Sequence, residues 1–288
     1  MNLNNTCSLC PNFCKVDKNK TKGACGTNND IYIAKYYLHP FEEPLISGKN
    51  GSGTVFFCGC SLKCVYCQNY ELSRSLRGKK ITVNTLANIF RELEDMGAHN
   101  VNLVSPTHYS NKIIEALNIY KPKIPVVYNT HGYENLEVIK ELDKYIDIYL
   151  PDIKFFSPIL SKRYTGKENY FEVTSKAIEF MVNKPIVIGE DGLLKSGTIV
   201  RHLVLPTCTS DSKSILDWFK NIKDKAYINI MSQYTPFGNL ASYPELGRKI
   251  TKREYNAVID YAISLGIENA FYQAYKSASE EYIPKWDY

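Results

Sequence analysis

The chain has 288 residues, 44% of them hydrophobic and 23% charged, an ordinary globular composition long enough for one large core. Its 35 basic residues stand against 30 acidic ones, with no basic run longer than Arg77-Gly78-Lys79-Lys80, so there is no nucleic-acid signature. No apolar run approaches a membrane span, and the opening MNLNNTCSLC lacks the order of a secretory signal, so a cytoplasmic protein is expected. Disulfides are disfavoured there, yet the chain has nine cysteines, eight of them in the first 67 residues. That crowding points to metal binding.

In chain order, residues 1–30 are polar and rich in Asn, Lys, Gly and Cys, and cannot form a core without a staple. IYIAKYYLHPFEEPLISGKNGSG (31–53) reads as a connector. Residues 1–45 are therefore expected to be a Cys-rich element with its connector, and 46–288 the core domain. TVFFCG (54–59) reads as a strand. The next helix carries Leu86, Ile89, Phe90, Leu93 and Met96 at helical spacing and stops at Gly97. Further strands are expected at 100–105, 124–129, 146–154, 198–206, 226–232 and 268–273, and helices at 111–120, 135–145, 170–184, 213–223 and 251–266. Six alternations of apolar strand and helix mean parallel β/α units, compatible with a partial barrel or an open doubly wound sheet. Chemistry belongs at the strand C-termini, where the cysteine loop, SPTHY (105–109), NTHGYE (129–134) and PDIK (151–154) all fall.

The stretch FFCGCSLKCVYCQN sets Cys60, Cys64 and Cys67 in the spacing C-x3-C-x2-C. A cubane iron–sulfur cluster takes one thiolate per iron, so three cysteines leave one iron open. The alternative is a zinc site completed by Cys58, making a zinc-stabilised interaction protein in which both cysteine groups, this one and the one at Cys7, Cys10, Cys14 and Cys25, are structural. Cys58 lies on the strand itself and reads as a packing residue.

With Tyr66 just before its last cysteine, this loop resembles the hallmark of the radical S-adenosylmethionine (SAM) superfamily. GSGTVFFCGCSLKCVYCQNYELS, LVSPTHY, VVYNTHGYE, LPDIK, VRHLVLP and NIMSQYTP are similar, in order and spacing, to a group related to pyruvate formate-lyase activating enzymes. The resemblance implies an α/β fold, a partial (β/α)6 barrel with a small N-terminal Cys-rich metal-binding element. It implies a [4Fe-4S] cluster on Cys60, Cys64 and Cys67 whose open iron binds SAM. Reductive cleavage then gives a 5′-deoxyadenosyl radical that abstracts hydrogen from a substrate under anaerobic conditions. The implied substrate is a glycyl radical enzyme, with another peptide or a small molecule as the alternative. The implied partners are a protein or peptide substrate and an electron donor such as flavodoxin or ferredoxin, with neither nucleic acid nor membrane.

The family's Gly-Gly-Glu-Pro stretch is replaced here by Val104-Ser105-Pro106-Thr107-His108, leaving the hydroxyls of Ser105 and Thr107 to meet the SAM methionine group. By the same match, Asn129, Asp152, Lys154, Gln233 and Tyr66 are expected cofactor contacts, with Lys154 toward the SAM carboxylate. Asp152 and Lys154, two apart, face the same way on a strand. Of Arg201 and His202, only one can face the site.

Cys7, Cys10, Cys14 and Cys25 form a second group, C-x2-C-x3-C-x10-C. Four thiolates in nineteen residues are expected to close around a separate centre, either zinc or a second iron–sulfur cluster.

Overall fold

The structure, a computed structural model, describes residues 6–272. Among them no helix is long and apolar enough to cross a membrane. The stretch read as a connector contains a strand, β1 (Ile31–His39). Ile31, Ile33 and His39 bury one side of it, and it pairs antiparallel with β2 (Ser52–Phe57) from Ile33↔Phe57 to His39↔Ser52. Between them lies the single turn α1 (Pro44–Ser47). After β2 come α2 (Tyr70–Arg74), β3 (Lys79–Ile81), which pairs with the far edge of β1, and α3 (Val83–Asp95).

The expected units follow: β4 (Val101–Val104) with α4 (Ser110–Ile119), β5 (Val126–Thr130) with α5 (Leu136–Leu142), and β6 (Ile148–Pro151) with α6 (Pro158–Thr165) and α7 (Tyr170–Met181). Then come a short β7 (Val187–Ile188) paired antiparallel with β8 (Leu194–Leu203), α8 (Thr209–Phe219), β9 (Tyr227–Met231), α9 (Lys252–Ser264) and β10 (Ala270–Tyr272). The last expected strand runs to Gln273, which lies outside the described residues. α6 was not anticipated. It is a short helix capped by the Ser157 side chain, started by Pro158 and stopped by Gly166 at φ 71°, and Ile159 on it is exposed, so it carries little apolar periodicity.

The strand order is β10-β9-β8-β6-β5-β4-β2-β1-β3, and the run β2-β4-β5-β6-β8-β9-β10 is all parallel. This is a partial (β/α)6 barrel: among the described residues the sheet ends in two edges, β10 and β3. Strand alternation sorts its two faces. Val55, Phe57, Leu103, Tyr128 and Tyr149 pack outward under the first helices, together with Leu86, Phe90 and Ile113. Val127, Ile148, Leu150 and Ile199 point inward and, with Ile46, make an apolar floor. Two residues further along β5, β6 and β8 the inward positions become Asn129, Asp152 and Arg201. The lumen therefore changes from apolar to polar toward the strand C-termini.

Candidate active site

The cysteine loop leaves β2 through Gly59, at φ 82°. A β-carbon there would stand 2.5 Å from the Thr27 methyl and 3.0 Å from the Cys25 carbonyl, so the N-terminal element is seated directly on the loop. Cys60 and Cys64 are buried and Cys67 is half-buried. The loop is held from both sides. Above, the Arg74 guanidinium stacks 4.3 Å from the Tyr70 ring centre and donates to the carbonyls of Lys63 (2.9 Å) and Cys64 (3.1 Å). Below, the Tyr66 ring meets Phe155, Tyr164 and Tyr234 edge-on at 6.0, 6.3 and 6.2 Å. Tyr66, expected among the cofactor contacts, is thus packed into the core.

Burial pushes the Cys64 thiol up to about 12, against the pull of Lys154. A thiolate there needs a positive partner, and bound iron supplies one. Among the described residues no three His, Cys, Asp or Glu side chains converge as ligands of one ion do. A cubane makes a different demand, one thiolate at each of several separated irons, and two buried thiols and one half-buried thiol on one tight loop fit it. Cys58 is fully buried beside Phe56 and Leu72, its thiol reaching only the Arg77 carbonyl at 3.5 Å. Cys58→Ala is accordingly expected to retain SAM cleavage and iron content, at a stability cost of about 1 kcal/mol. Loss of iron from that variant would make it a ligand.

At the strand ends an ionic network crosses the lumen. Asp152 accepts from Lys154 Nζ at 2.7 Å and from Arg201 Nε at 2.8 Å. Arg201 Nη2 donates to Asn129 Oδ1 at 2.6 Å, and Arg201 Nη1 stands 3.8 Å from Glu42. Burial pushes the Asp152 carboxyl up, but Arg201 and Lys154 outweigh it and hold it below the usual carboxylate value. Burial likewise pulls Lys154 down while Asp152 more than compensates, so it stays charged. Both side chains are only 16% exposed, which rules out a surface ion pair. Glu43 accepts from Asn229 Nδ2 at 2.6 Å. Oδ1 of Asn229 is buried here without a hydrogen-bond partner, and so is the amide of Asn102 deeper in the sheet, level with Val127. Orphaned polar atoms in a polar lumen fit a ligand with ammonium, carboxylate and hydroxyl groups.

A second chain of contacts ties the cysteine loop to the strands. Tyr133 N–H donates to His131 Nδ1 at 3.1 Å, which leaves the proton on Nε2 to donate to Ser61 Oγ at 2.7 Å. Thr107 Oγ1, 3.4 Å from the same nitrogen, donates to Glu134 at 2.5 Å, and Thr130 Oγ1 donates to that carboxylate as well. The Thr107 hydroxyl therefore already has protein partners. Ser105, half-buried at φ 57°, donates its N–H to the Asn129 carbonyl at 2.9 Å. Gln233 stands beside the loop, its carbonyl accepting from Gln68 Nε2 at 3.3 Å. His202 faces outward, 2.9 Å from Ser212 on α8, so Arg201 is the member of that pair that enters the lumen. Glu42, Glu43 and Glu134 were not singled out from the sequence, and Arg74, expected there as a base that attracts an acidic partner, is instead committed to the cysteine loop.

These buried groups predict an uneven acid response. Burial pushes His108 and His131 down to about 3 and His202 to about 4, so the unfolded chain takes up their protons first and stability falls as pH drops below about 6.5. Burial pushes Glu43 and Glu134 up to about 7, so the native chain takes up those protons and opposes the loss. From these five groups, the loss between about pH 6.5 and 4.5 is one net proton, or about 1.4 kcal/mol per unit. It steepens toward three protons below. Glu134→Gln should roughly double the upper slope, and an unchanged slope in denaturant titrations would show that Glu134 does not titrate there.

The radical SAM superfamily matches residues 54–196. An uncharacterized protein of Methanocaldococcus jannaschii is 30% identical over 273 residues, 91% of this chain and 75% of that protein. The chain belongs to the radical SAM superfamily. Radical SAM proteins use a [4Fe-4S] cluster and SAM, and this chain is a radical SAM enzyme that cleaves SAM by radical chemistry. The pyruvate formate-lyase-activating enzyme of Clostridium pasteurianum is 27% identical over 215 residues, 69% of this chain and 82% of that enzyme. Among solved structures, Streptococcus suis SuiB bound to S-adenosylmethionine has a TM-score of 0.51 at 16% identity, covering 74% of this chain and 47% of SuiB. This radical SAM chain therefore spans about half the length of SuiB and shares its fold.

Proposed function

We propose that the radical chemistry of this enzyme is directed at a polypeptide, with a glycyl radical enzyme as the first candidate. The observation that carries the reading is the open sheet. Among the described residues the sheet ends at β3 and β10 instead of closing, and in this reading an extended segment enters between those edges to reach the strand ends, where a closed barrel would exclude it. Similarity to the Clostridium activating enzyme supports the same class. Of the basic residues after the cysteine loop, Arg77 and Lys79 are exposed and suited to drawing in an acidic partner. Arg74 is committed to the loop, and Lys80 pairs with Asp30 at 2.8 Å.

In this reading Cys60, Cys64 and Cys67 hold three irons and leave the fourth for SAM. The bound group supplies the one-electron cleavage. The chain's own part is to orient SAM: Lys154 turns part of its charge to the SAM carboxylate while Asp152 keeps it in place, and Ser105, Thr107, Asn129 and Gln233 line the methionine end, with Tyr66 holding the loop from beneath. Lys154→Ala should weaken SAM binding about 10- to 100-fold, the worth of one charge-assisted hydrogen bond, and leave the cluster absorbance intact. Unchanged affinity by anaerobic calorimetry would return Lys154 to a structural role. The substrate itself is tested by mixing reduced enzyme and SAM with glycyl radical enzymes of the same organism. A doublet glycyl signal in electron paramagnetic resonance is expected. Deoxyadenosine formation stimulated only by a small metabolite, with no protein radical, would overturn the polypeptide reading.

A further inference from the structure

We propose that the outer edge of β1 from Lys35 to His39 is a docking edge, where an extended acidic segment of the polypeptide substrate adds to the sheet as one more strand. The assignment rests on the polypeptide reading. On one side β1 pairs with β2, from Ile33↔Phe57 to His39↔Ser52. On the other side β3 covers it only from Ile31 to Ile33. Among the described residues no strand pairs with the margin beyond, so β1 itself borders the sheet over its last five residues, Lys35 to His39.

In such a ladder alternate residues turn their N–H and C=O groups away from the partner strand. On β1 a side chain meets the backbone at Tyr32, whose N–H donates to the Tyr109 hydroxyl at 3.3 Å. Among the described residues none reaches the backbone from Lys35 to His39. An open row of this kind is a template for another backbone, which carries donors and acceptors at the same two-residue repeat. The pairing with β2 shifts register between Ile33 and Lys35, which separates this edge from the part under β3. Beyond the shift Lys35 and Tyr37 stand opposite Phe56 and Thr54, on the lumen side of the sheet. Tyr36 stands on the helix side, its hydroxyl donating to Glu92 of α3 at 2.8 Å. A segment laid along the edge therefore turns every second side chain toward the lumen. There the Tyr37 ring, stacked on Phe56 at 5.8 Å, gives it an aromatic surface to lie against.

Charge selects the occupant. Lys35 on the edge, Lys79 and Lys80 on β3 and Arg77 just before it are all exposed, and Lys35 Nζ stands 5.2 Å from the Tyr37 ring centre. The acids bonded to this margin are Asp30, 2.8 Å from Lys80, and Glu92. Four bases against two acids leave it positive. A register shift and a lysine are ordinary means of keeping an edge from pairing with its own copy, because two such edges repel. An acidic segment is drawn to the same place. The chain that fits is therefore the substrate's and not that of a second enzyme molecule.

The test uses the full chain, purified anaerobically and supplied with SAM. Amide exchange is followed by mass spectrometry, alone and with each glycyl radical enzyme of the same organism. Where a glycyl doublet forms, the amides of residues 35–39 should exchange at least tenfold more slowly than in the enzyme alone. A doublet with unchanged exchange there overturns the docking edge and leaves the polypeptide reading standing. Where no protein radical forms, the edge is tested by fluorescence anisotropy at low salt with the labelled peptide acetyl-Glu-Val-Gly-Val-Glu-Val-amide. Its control carries Pro-Pro in place of Gly-Val, which keeps the charge and removes a donor from each side of the strand. The unbroken peptide should bind at least tenfold more tightly than the control, and at least tenfold more weakly to the Lys35→Glu/Lys79→Glu variant than to wild type. Equal binding of the two peptides overturns the edge, and equal binding to the two proteins overturns the acidic class. Protection of residues 35–39 that grows with enzyme concentration alone would seat a second copy there and overturns the proposal as well.

Discussion

Replacing Cys64 by alanine is expected to take SAM cleavage to background while the barrel remains folded. Cys64 is the middle ligand of the loop, and its backbone stays held by Arg74 at the carbonyl whatever its side chain. What the substitution removes is one of three thiolates. Two cysteines cannot hold a cubane that leaves a single iron free for SAM, so both the cluster and its substrate site are lost. The measurement is 5′-deoxyadenosine formation with dithionite as reductant, beside iron content and circular dichroism. Cleavage that persists in a folded Cys64→Ala protein would remove this loop from the chemistry. Cys58→Ala is the matched control, a thiol six residues away with a packing role.

Asp152→Asn is the second large effect. Its carboxylate is the common partner of two buried cations, Lys154 and Arg201, and the ladder sets Asp152 directly beside Arg201 on the neighbouring strand. An amide of the same size keeps the shape and removes the charge, leaving the ammonium and guanidinium facing one another. Breaking a buried pair in this way costs about 3–5 kcal/mol. The denaturation midpoint should fall accordingly, and SAM affinity with it, because Lys154 loses the anchor that aims it. Retained stability would mean that Glu42 alone can balance Arg201. Gly132 belongs to the same arrangement: at φ 80°, a side chain on it would collide with the Asp152 carbonyl, so a bulkier residue should reproduce part of the loss.

The parallel core and the three-cysteine loop were legible because both are local signals: apolar strand runs, helical periodicity, and spacing within eight residues. β1 was not, because Tyr36, Tyr37 and Lys35 blur its alternation and its partner strand decides its burial. The shared face of Asp152 and Lys154 follows from strand geometry alone. What could not be read is the pairing across the lumen. Nothing near Glu42 or Glu43 in the sequence indicates that their carboxylates meet Arg201 and Asn229. Likewise Arg74 reads as one more surface base until its hydrogen bonds to the cysteine loop are seen.

The contact between Glu43 and Asn229 joins positions 186 residues apart and bears on how the protein is made. The strands carrying Arg201 and Asn229 are translated long after the cysteines. From Cys67 to Asn229 synthesis takes roughly 10–30 seconds at ordinary elongation speeds. During that interval all eight early thiols have left the ribosome's active site without the walls that later enclose them. Cluster assembly has its easiest access in this window, and so does oxygen.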